Sequence, residues 1–245
     1  MKNADKKYRI IWHDELDSTN AEVLRHVSEL DNLSVVAAVS QTAGCGQKGN
    51  KWLSSPGDNL TFTILLRPSG LPLKDFMCVT FWATLAVRDY LIAQSIPAVI
   101  KWPNDIYVGK KKICGMLIES VAEAGLLKEV VIGIGLNMNQ TDFPSELLNP
   151  TSAKKVSGRT FDLKQALEDI MDIFAGSLHL LDSAEGRSQL RNLYENELFQ
   201  KGERCAYRDY RTGELIEGKI LGIAEDGRLN LDGRLYDFKE IGYIL

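Results

Sequence analysis

The 245-residue chain is 44% hydrophobic and 25% charged, enough to bury one good core with room for a small second domain. Its formal net charge of −4 argues against a protein that holds nucleic acid through a broadly positive surface, while leaving room for a local basic site. Cys45, Cys78, Cys114 and Cys205 stand far apart with no C-x-x-C pair, and His13, His26 and His179 form no metal-ligand cluster, so a reduced, cytoplasmic compartment is expected.

The polar start MKNADKKYRI lacks the apolar core of a signal peptide. No later run is expected to reach the roughly 20 apolar residues of a membrane span. Tyr8 to His13 reads as a short strand, and DSTNAEVLRHVSEL starts a helix in which Thr19 stands three residues before Glu22, a capping-box spacing. Val23, Leu24, Val27 and Leu30 supply its apolar face. Leu33 to Ser40 and NLTFTILLR are buried-type strands. LKDFMCVTFWATLAVRDYLIAQ is the strongest helix, in which Met77 and Trp82 read as packing residues. AVIKWPND is extended, IYVGKKKICGMLIES a hairpin turning at Gly109, and KEVVIGIGLNMN a β-run. Helices follow over Asp162 to Leu181 and Arg187 to Phe199. From about Leu198 the texture changes to five short strands split by Gly and Asp-Gly turns, a small β-barrel that would be marginal alone and should pack on the rest.

Between the second and third strands lies QTAGCGQKGNKW, whose Gly44, Gly46 and Gly49 match the letters G-x-G-x-x-G. A dinucleotide fingerprint also needs a helix opening on the loop and an acid about twenty residues later; NKWLSSPGDNL cannot start a helix, and ILLRPSG carries no acid. No G-x-x-x-x-G-K-[ST] is present either. Two readings stay open: a loop whose backbone N–H groups cradle an anion, flanked by Lys48 and Lys51, or an ordinary surface turn.

Lys101 ends an apolar segment directly before Trp-Pro, and the residue before a proline is held extended. A lysine on so rigid a backbone suits the placing of a cation on a phosphate or carboxylate. Lys112 returns in the hairpin ahead of Ile113-Cys114-Gly115, so the two lysines should converge. Gly133, Gly135 and Asn137 alternate in the following β-run, where small residues mark close approach by a ligand or another part of the chain.

DSTN, QTAGCGQKGNKW with SPGDNL after it, KWPNDIYVGKKKICGMLIE and VVIGIGLNMN occur in the order and spacing of the biotin protein ligases, which the chain resembles from about residue 8 to residue 140. KWPND followed by K-I-x-G is the specific part. The resemblance implies an α+β fold: a class II synthetase-like catalytic domain over 1–197, with a mixed or antiparallel sheet and helices packed on it, and an SH3-like β domain over 198–245. It implies a ligase that activates biotin with ATP to biotinyl-5′-AMP and transfers it to a lysine of a biotin carboxyl carrier protein. Magnesium is expected on the phosphates, with no tightly bound metal. Lys101 would be the catalytic residue, touching both biotin and the α-phosphate. Ser18, Thr19, Asn20 and Gln41 would hold the ureido end or flank the biotin pocket, with Gly44, Cys45, Gly46, Gln47 and Gly115 also on the biotin side. Lys48, Gly49, Asn50, Trp52, Asn104, Lys112 and Asn137 would face the nucleotide, Trp52 stacking on adenine. Thr19 and Asn20 have a competing role as helix-start residues. The loop from Gly44 to Gly49 would close over the adenylate.

The pattern begins within about ten residues of Met1, so a short form without an N-terminal DNA-binding domain is expected, with no nucleic-acid or membrane partner; a homodimer stays open. The family loop reads G-R-G-R-x-G-R, and this chain places Cys45, Gln47 and Asn50 at the three arginine positions. That departure predicts a leaky enzyme. It also keeps two alternatives in view, a lipoate–protein ligase and a biotin-binding protein with weakened turnover.

Overall fold

The structure is a computed structural model that describes residues 7–245, apart from the side chain of Lys48. β1 (Arg9–Leu16) leads into α1 (Thr19–Arg25) and then β2 (Ser34–Gln41), which lies parallel to β1 with Ile10 opposite Val35. β3 (Leu60–Leu66), α2 (Met77–Ala93), β4 (Ala98–Lys101), β5 (Asp105–Val108), β6 (Lys111–Glu123) and β7 (Leu126–Leu136) follow. The seven strands form one mixed sheet in the order β1-β2-β3-β7-β6-β5-β4, antiparallel everywhere except between β1 and β2.

Alternation along β3 sorts the two faces of this sheet. Leu60, Phe62, Ile64 and Leu66 join the large core beneath α2, α4 (Leu163–Ser177) and α5 (Ala184–Asn196); the short α3 (Ala153–Ser157) precedes α4. Leu65 instead joins Val23, Val36 and Val131 in a small cluster under α1, leaving Thr61 and Thr63 on the same face. The large core is therefore on one side, and the opposite side is free to build a site between α1 and the loops.

α2 is the core helix that its apolar run predicts, although the α-helix proper starts at Met77 after a 3-10 turn at Leu73–Asp75. Residues 73–93 are by length and composition apolar enough to cross a membrane, contrary to the expectation from sequence, but 67% of their 18-residue apolar stretch is buried inside the protein. Trp82 packs edge-on to Phe174 with centroids 4.8 Å apart and donates to Ser177 Oγ at 2.9 Å, so it is a packing residue as expected.

α1 departs from its predicted form. It ends at Arg25 with a 3-10 turn beyond, and Leu24 is exposed rather than part of the buried face. The capping box is absent: the residue in the cap position is Ser18, with no side-chain capping bond, and the Thr19 hydroxyl is drawn into the sheet by Gln41 and Thr63.

The predicted tail strands form as β8 (Arg204–Asp209), β9 (Leu215–Ile223), β10 (Leu229–Leu231), β11 (Arg234–Tyr236) and β12 (Ile241–Tyr243), all antiparallel in the order β11-β10-β9-β8-β12. No ladder joins the outer strands β11 and β12 among the described residues, so strand pairing does not close the expected barrel; each is only three residues long. This sheet is bolted to the main body. Trp102 Nε1 donates to Gly227 O at 3.0 Å, the Ile223 N–H donates to Glu195 Oε1 at 3.1 Å, and Met77 fills the space a Cβ on residue 227 would need.

Candidate active site

A cavity of about 290 Å³ opens on the face of the large sheet away from α2, between α1, the glycine loop and the edge of the C-terminal sheet. Its floor is a row of small residues. Gly135 on β7 pairs with Gly115 on β6, Gly115 pairs with Asp105 on β5, and Asp105 pairs with Lys101 at the end of β4.

The glycines make room for side chains of this chain. A Cβ at Gly133 would lie 2.0 Å from Asn20 Oδ1, and one at Gly135 would lie 2.2 Å from the Trp52 ring. At Gly115 a Cβ would meet Lys112 Nζ at 2.8 Å. The alternation of glycines in β7 thus seats Asn20 at one position and the indole of Trp52 at the next.

At the Asn20 end sits a buried polar network. The Thr19 N–H and hydroxyl both donate to Gln41 Oε1, at 2.8 and 3.2 Å, and Thr63 Oγ1 shares one proton between Thr19 Oγ1 at 2.8 Å and Asn20 Oδ1 at 2.7 Å. Asn20 Nδ2 donates to Glu119 Oε2 at 3.1 Å. Ser18, Thr19 and Asn20 are all buried. A network linked in this way holds its members in one orientation. With the Gln41 oxygen committed to Thr19, its side-chain NH2 remains as a donor at the wall of the cavity.

The other end is basic. Lys51, Lys101, Lys112 and Lys239 line it, with Asp105 as the one carboxylate among the lining residues. Asp105 is engaged by Lys112, Nζ to Oδ1 at 2.7 Å. The Lys101 side chain makes no hydrogen bond or ion pair among the described residues. Its Nζ lies over two rings, 5.2 Å from the centroid of Tyr107 and 4.9 Å from that of Tyr243. Burial pulls the Lys101 ammonium below its ordinary pKa, Asp105 partly restores it, and Lys112 lowers it further.

The glycine loop does not behave as an open N–H nest. The Gly46 N–H donates to Asn50 O at 2.7 Å, the Asn50 N–H to Gln47 O at 3.1 Å, and the Trp52 N–H to Gly44 O at 2.9 Å. Those donors close the loop on itself around a 3-10 turn at Gln47–Gly49, with Gly49 at φ +77°. No α-helix opens on the loop, in keeping with the exclusion of a dinucleotide fingerprint. Cys45 is exposed and its thiol donates to Ala43 O at 3.2 Å.

Of the residues singled out in the sequence, Ser18, Thr19, Asn20, Gln41, Cys45, Gly46, Gln47, Asn50, Trp52, Lys101, Asn104, Lys112 and Gly115 line this cavity. Gly44 is buried at the base of the loop, where a Cβ would lie 2.7 Å from Trp52 O, and Gly49 is at the loop tip. Neither lines the cavity. Asn137 is buried beyond its end, donating to Thr151 O at 2.9 Å while its Oδ1 has no partner. Asn104 donates to Met116 O at 2.7 Å, bracing the turn after Lys101 against β6. The Lys48 side chain lies outside the described residues. Sequence reasoning missed Asp105, although it is the last letter of KWPND, and the whole contribution of the tail: Phe238, Lys239, Ile241, Gly242 and Tyr243. No local pattern in the tail marks those positions.

Comparison with known proteins fits this arrangement. The model of the Biotin/lipoate A/B protein ligase family matches residues 12–137. The chain is 33% identical over 232 residues to the bifunctional ligase/repressor BirA of Bacillus subtilis, covering 91% of this chain and 69% of that one. It is 32% identical over 224 residues to the biotin–[acetyl-CoA-carboxylase] ligase of Paracoccus denitrificans, covering 89% and 91%. Among solved structures, the biotin protein ligase from Aquifex aeolicus in complex with biotin and ATP superposes with a TM-score of 0.78 at 26% identity, over 96% of this chain and 97% of that one. A cavity with a buried polar network at one end and a cluster of lysines at the other is thus set in a chain that belongs to the biotin/lipoate A/B protein ligase family.

Proposed function

We propose that the chain is an ATP-dependent biotin–protein ligase, which activates biotin as biotinyl-5′-AMP and passes it to a lysine of a biotin carboxyl carrier domain. The observation that carries this reading is the state of Lys101: a half-buried ammonium with no anion of its own, in the basic part of a cavity whose other end is the polar network.

The chemistry asks for such a group. In the first step an oxygen of the biotin carboxylate attacks the α-phosphorus of ATP and the bond to the bridging oxygen breaks, releasing pyrophosphate. Two anions must approach each other, so a fixed cation that touches both lowers the barrier. Lys101 is the catalytic residue in this reading, and Lys51, Lys112 and Lys239 offset the charge of the triphosphate. In the second step a neutral lysine amine of the carrier attacks the acyl carbon and AMP leaves. Exclusion of water in the interval is the task of the loop around Cys45 to Asn50, because the mixed anhydride hydrolyses if exposed.

The ureido ring of biotin offers one carbonyl acceptor and two N–H donors. Ser18 and the Gln41 NH2 are suited to that end, and Thr19 and Asn20 act by holding Gln41 and the cavity wall. Trp52 would pack on adenine, with Asn50 and Lys112 on the nucleotide beside it. A protein site for magnesium does not fit the donor set: Asp105 is the one carboxylate in the lining and is held by Lys112. Magnesium would accordingly sit on the nucleotide phosphates and supply charge neutralisation there. In the same reading the chain divides into a catalytic domain over 1–197 and an SH3-like domain over 198–245.

The test mixes the purified protein with ATP-magnesium and either biotin or lipoate, then measures pyrophosphate and modification of a carrier domain. Pyrophosphate and carrier labelling with biotin are expected. Turnover with lipoate alone would favour a lipoate ligase, and biotin binding without pyrophosphate a binding protein.

A further inference from the structure

The two rings that hold Lys101 come from different parts of the fold. Tyr107 is on β5, the strand next to that of Lys101, whereas Tyr243 is on β12, the last strand of the C-terminal sheet. β12 is an edge strand paired to β8 through Tyr243 opposite Tyr207. The two rings belong to a run of aromatic contacts: Tyr107 to Phe199 at 5.9 Å and Phe199 to Tyr243 at 6.1 Å, both tilted, and Tyr243 edge-on to Tyr207 at 5.3 Å. The Tyr243 hydroxyl is buried with no partner, so the contact made toward the cavity is that of its ring face.

We propose that Tyr243 is a positioning residue for the adenylation step: with Tyr107 it forms a two-sided cation–π clamp that fixes Lys101 Nζ while leaving its N–H groups free for ligand oxygens. A carboxylate partner would hold the ammonium equally well but would spend its donors and its charge. Asp105 would be the obvious candidate, and Lys112 occupies it. The π face stabilises a cation at such a desolvated site without taking its protons. The C-terminal sheet thereby becomes part of the site. The charged and titratable groups around Lys101 are Asp105 and Tyr107 on β5, Lys112 on β6, Tyr243 on β12, and Lys51 and Lys239 from the surrounding loops.

This proposal rests on the adenylation reading for its rate effects but has an independent readout. In the full-length protein, the Lys101 side chain is titrated by carbon-13 NMR, assigned with Lys101→Arg, in wild type, Tyr243→Leu, Tyr243→Phe and a chain carrying pentafluorophenylalanine at position 243. The fluorinated ring keeps the shape and removes the negative face, so it separates the clamp from packing even if Tyr243→Leu fails to fold. Expected are a downward shift of the Lys101 midpoint by up to about one pH unit in the leucine and fluorinated proteins, and recovery in Tyr243→Phe. The kcat for pyrophosphate release should fall roughly tenfold in the same two, with biotin affinity changed less than about twofold. An unshifted Lys101 midpoint in the fluorinated protein overturns the clamp, and a Tyr243→Phe shift equal to that of leucine assigns the effect to the hydroxyl instead. Absence of pyrophosphate in the wild type defeats the ligase reading alone, because the titration still decides the clamp.

Discussion

Lys112 and Asp105 form a 2.7 Å ion pair beside Lys101, and that pairing is what leaves Lys101 without an anion. Asp105 nevertheless raises the pKa of Lys101 through space, against the larger lowering by burial. The sign of a substitution follows. Activity in adenylation needs Lys101 charged, so its alkaline limb tracks the Lys101 pKa, which already lies below the ordinary lysine value. Asp105→Asn removes a raising influence and releases Lys112, whose own effect is to lower. The alkaline limb of pyrophosphate release against pH should therefore move to lower pH than in wild type. A limb that stays in place or moves upward would show that Lys101 does not set it. In folding, the same depression means that Lys101 costs stability at pH below its folded value, a cost that fades as pH rises through that value.

Lys101→Ala should lower the rate of pyrophosphate release about 100- to 1000-fold, the usual consequence of removing one preorganised donor from a developing charge. Biotin affinity should fall much less, because the polar network around Thr19, Gln41 and Thr63 is intact. Lys101→Arg should restore only part of the rate, since a planar fork does not fit between two rings placed for a compact ammonium. Single-turnover kinetics with calorimetric biotin binding separate the two effects; equal losses in both would mean that Lys101 serves ground-state binding.

The two glycines of β7 offer a paired test. Gly133→Ala drives a methyl into Asn20, and Gly135→Ala drives one into the Trp52 ring. Each should cost about 1–3 kcal/mol of stability, as overpacking does. Their functional effects should differ. The first should weaken biotin with little change in the KM for ATP, and the second should raise the KM for ATP with little change in biotin affinity. Calorimetry for biotin and steady-state kinetics for ATP give the comparison, and identical profiles for the two variants would refute the assignment of Asn20 and Trp52 to separate ends.

How far the sequence showed this site depends on how local each signal was. Lys101 and Lys112 were legible because each sits at a rigid or hairpin position near one end of the sheet, on β4 and β6 with β5 between them, whereas Asn104 and Gly115 were reached only through the family resemblance of KWPND and KKKICG. The alternation of Gly133 and Gly135 announced a close approach, but not that Asn20 and Trp52 make it. Thr19 was misread as half of a capping box, since Glu22 is three residues away in the chain while the real partners, Gln41 and Thr63, are 22 and 44 residues away. The loop's N–H groups looked free for an anion, and three of them, from Gly46, Asn50 and Trp52, are spent on the loop's own carbonyls. In the tail all five strands followed from alternation and turns. Nothing local singles out Tyr243, because its contact with Lys101 depends on how β12 docks beside β4 and β5.

Cys45 carries the last prediction. It stands at the first of three family arginine positions, lines the cavity, and is exposed, with its thiol turned back to the carbonyl of Ala43. None of Cys45, Gln47 and Asn50 supplies a cation, so the charges available to retain an adenylate are the lysines of the cavity wall. An exposed position accepts a longer side chain without disturbing the core, and an arginine there can reach the phosphate with a charge-assisted pair of hydrogen bonds. One such contact is worth roughly 1.5–3 kcal/mol, so Cys45→Arg should slow dissociation of biotinyl-5′-AMP by about 10- to 150-fold. Cys45→Ser, which adds no charge, should leave that rate within about twofold of wild type. The release of labelled adenylate, followed after dilution into unlabelled biotin and ATP, gives the rates directly. If the arginine and serine variants release it equally fast, the missing cation at position 45 is not the source of leakage, and the loop must hold its ligand by closure alone.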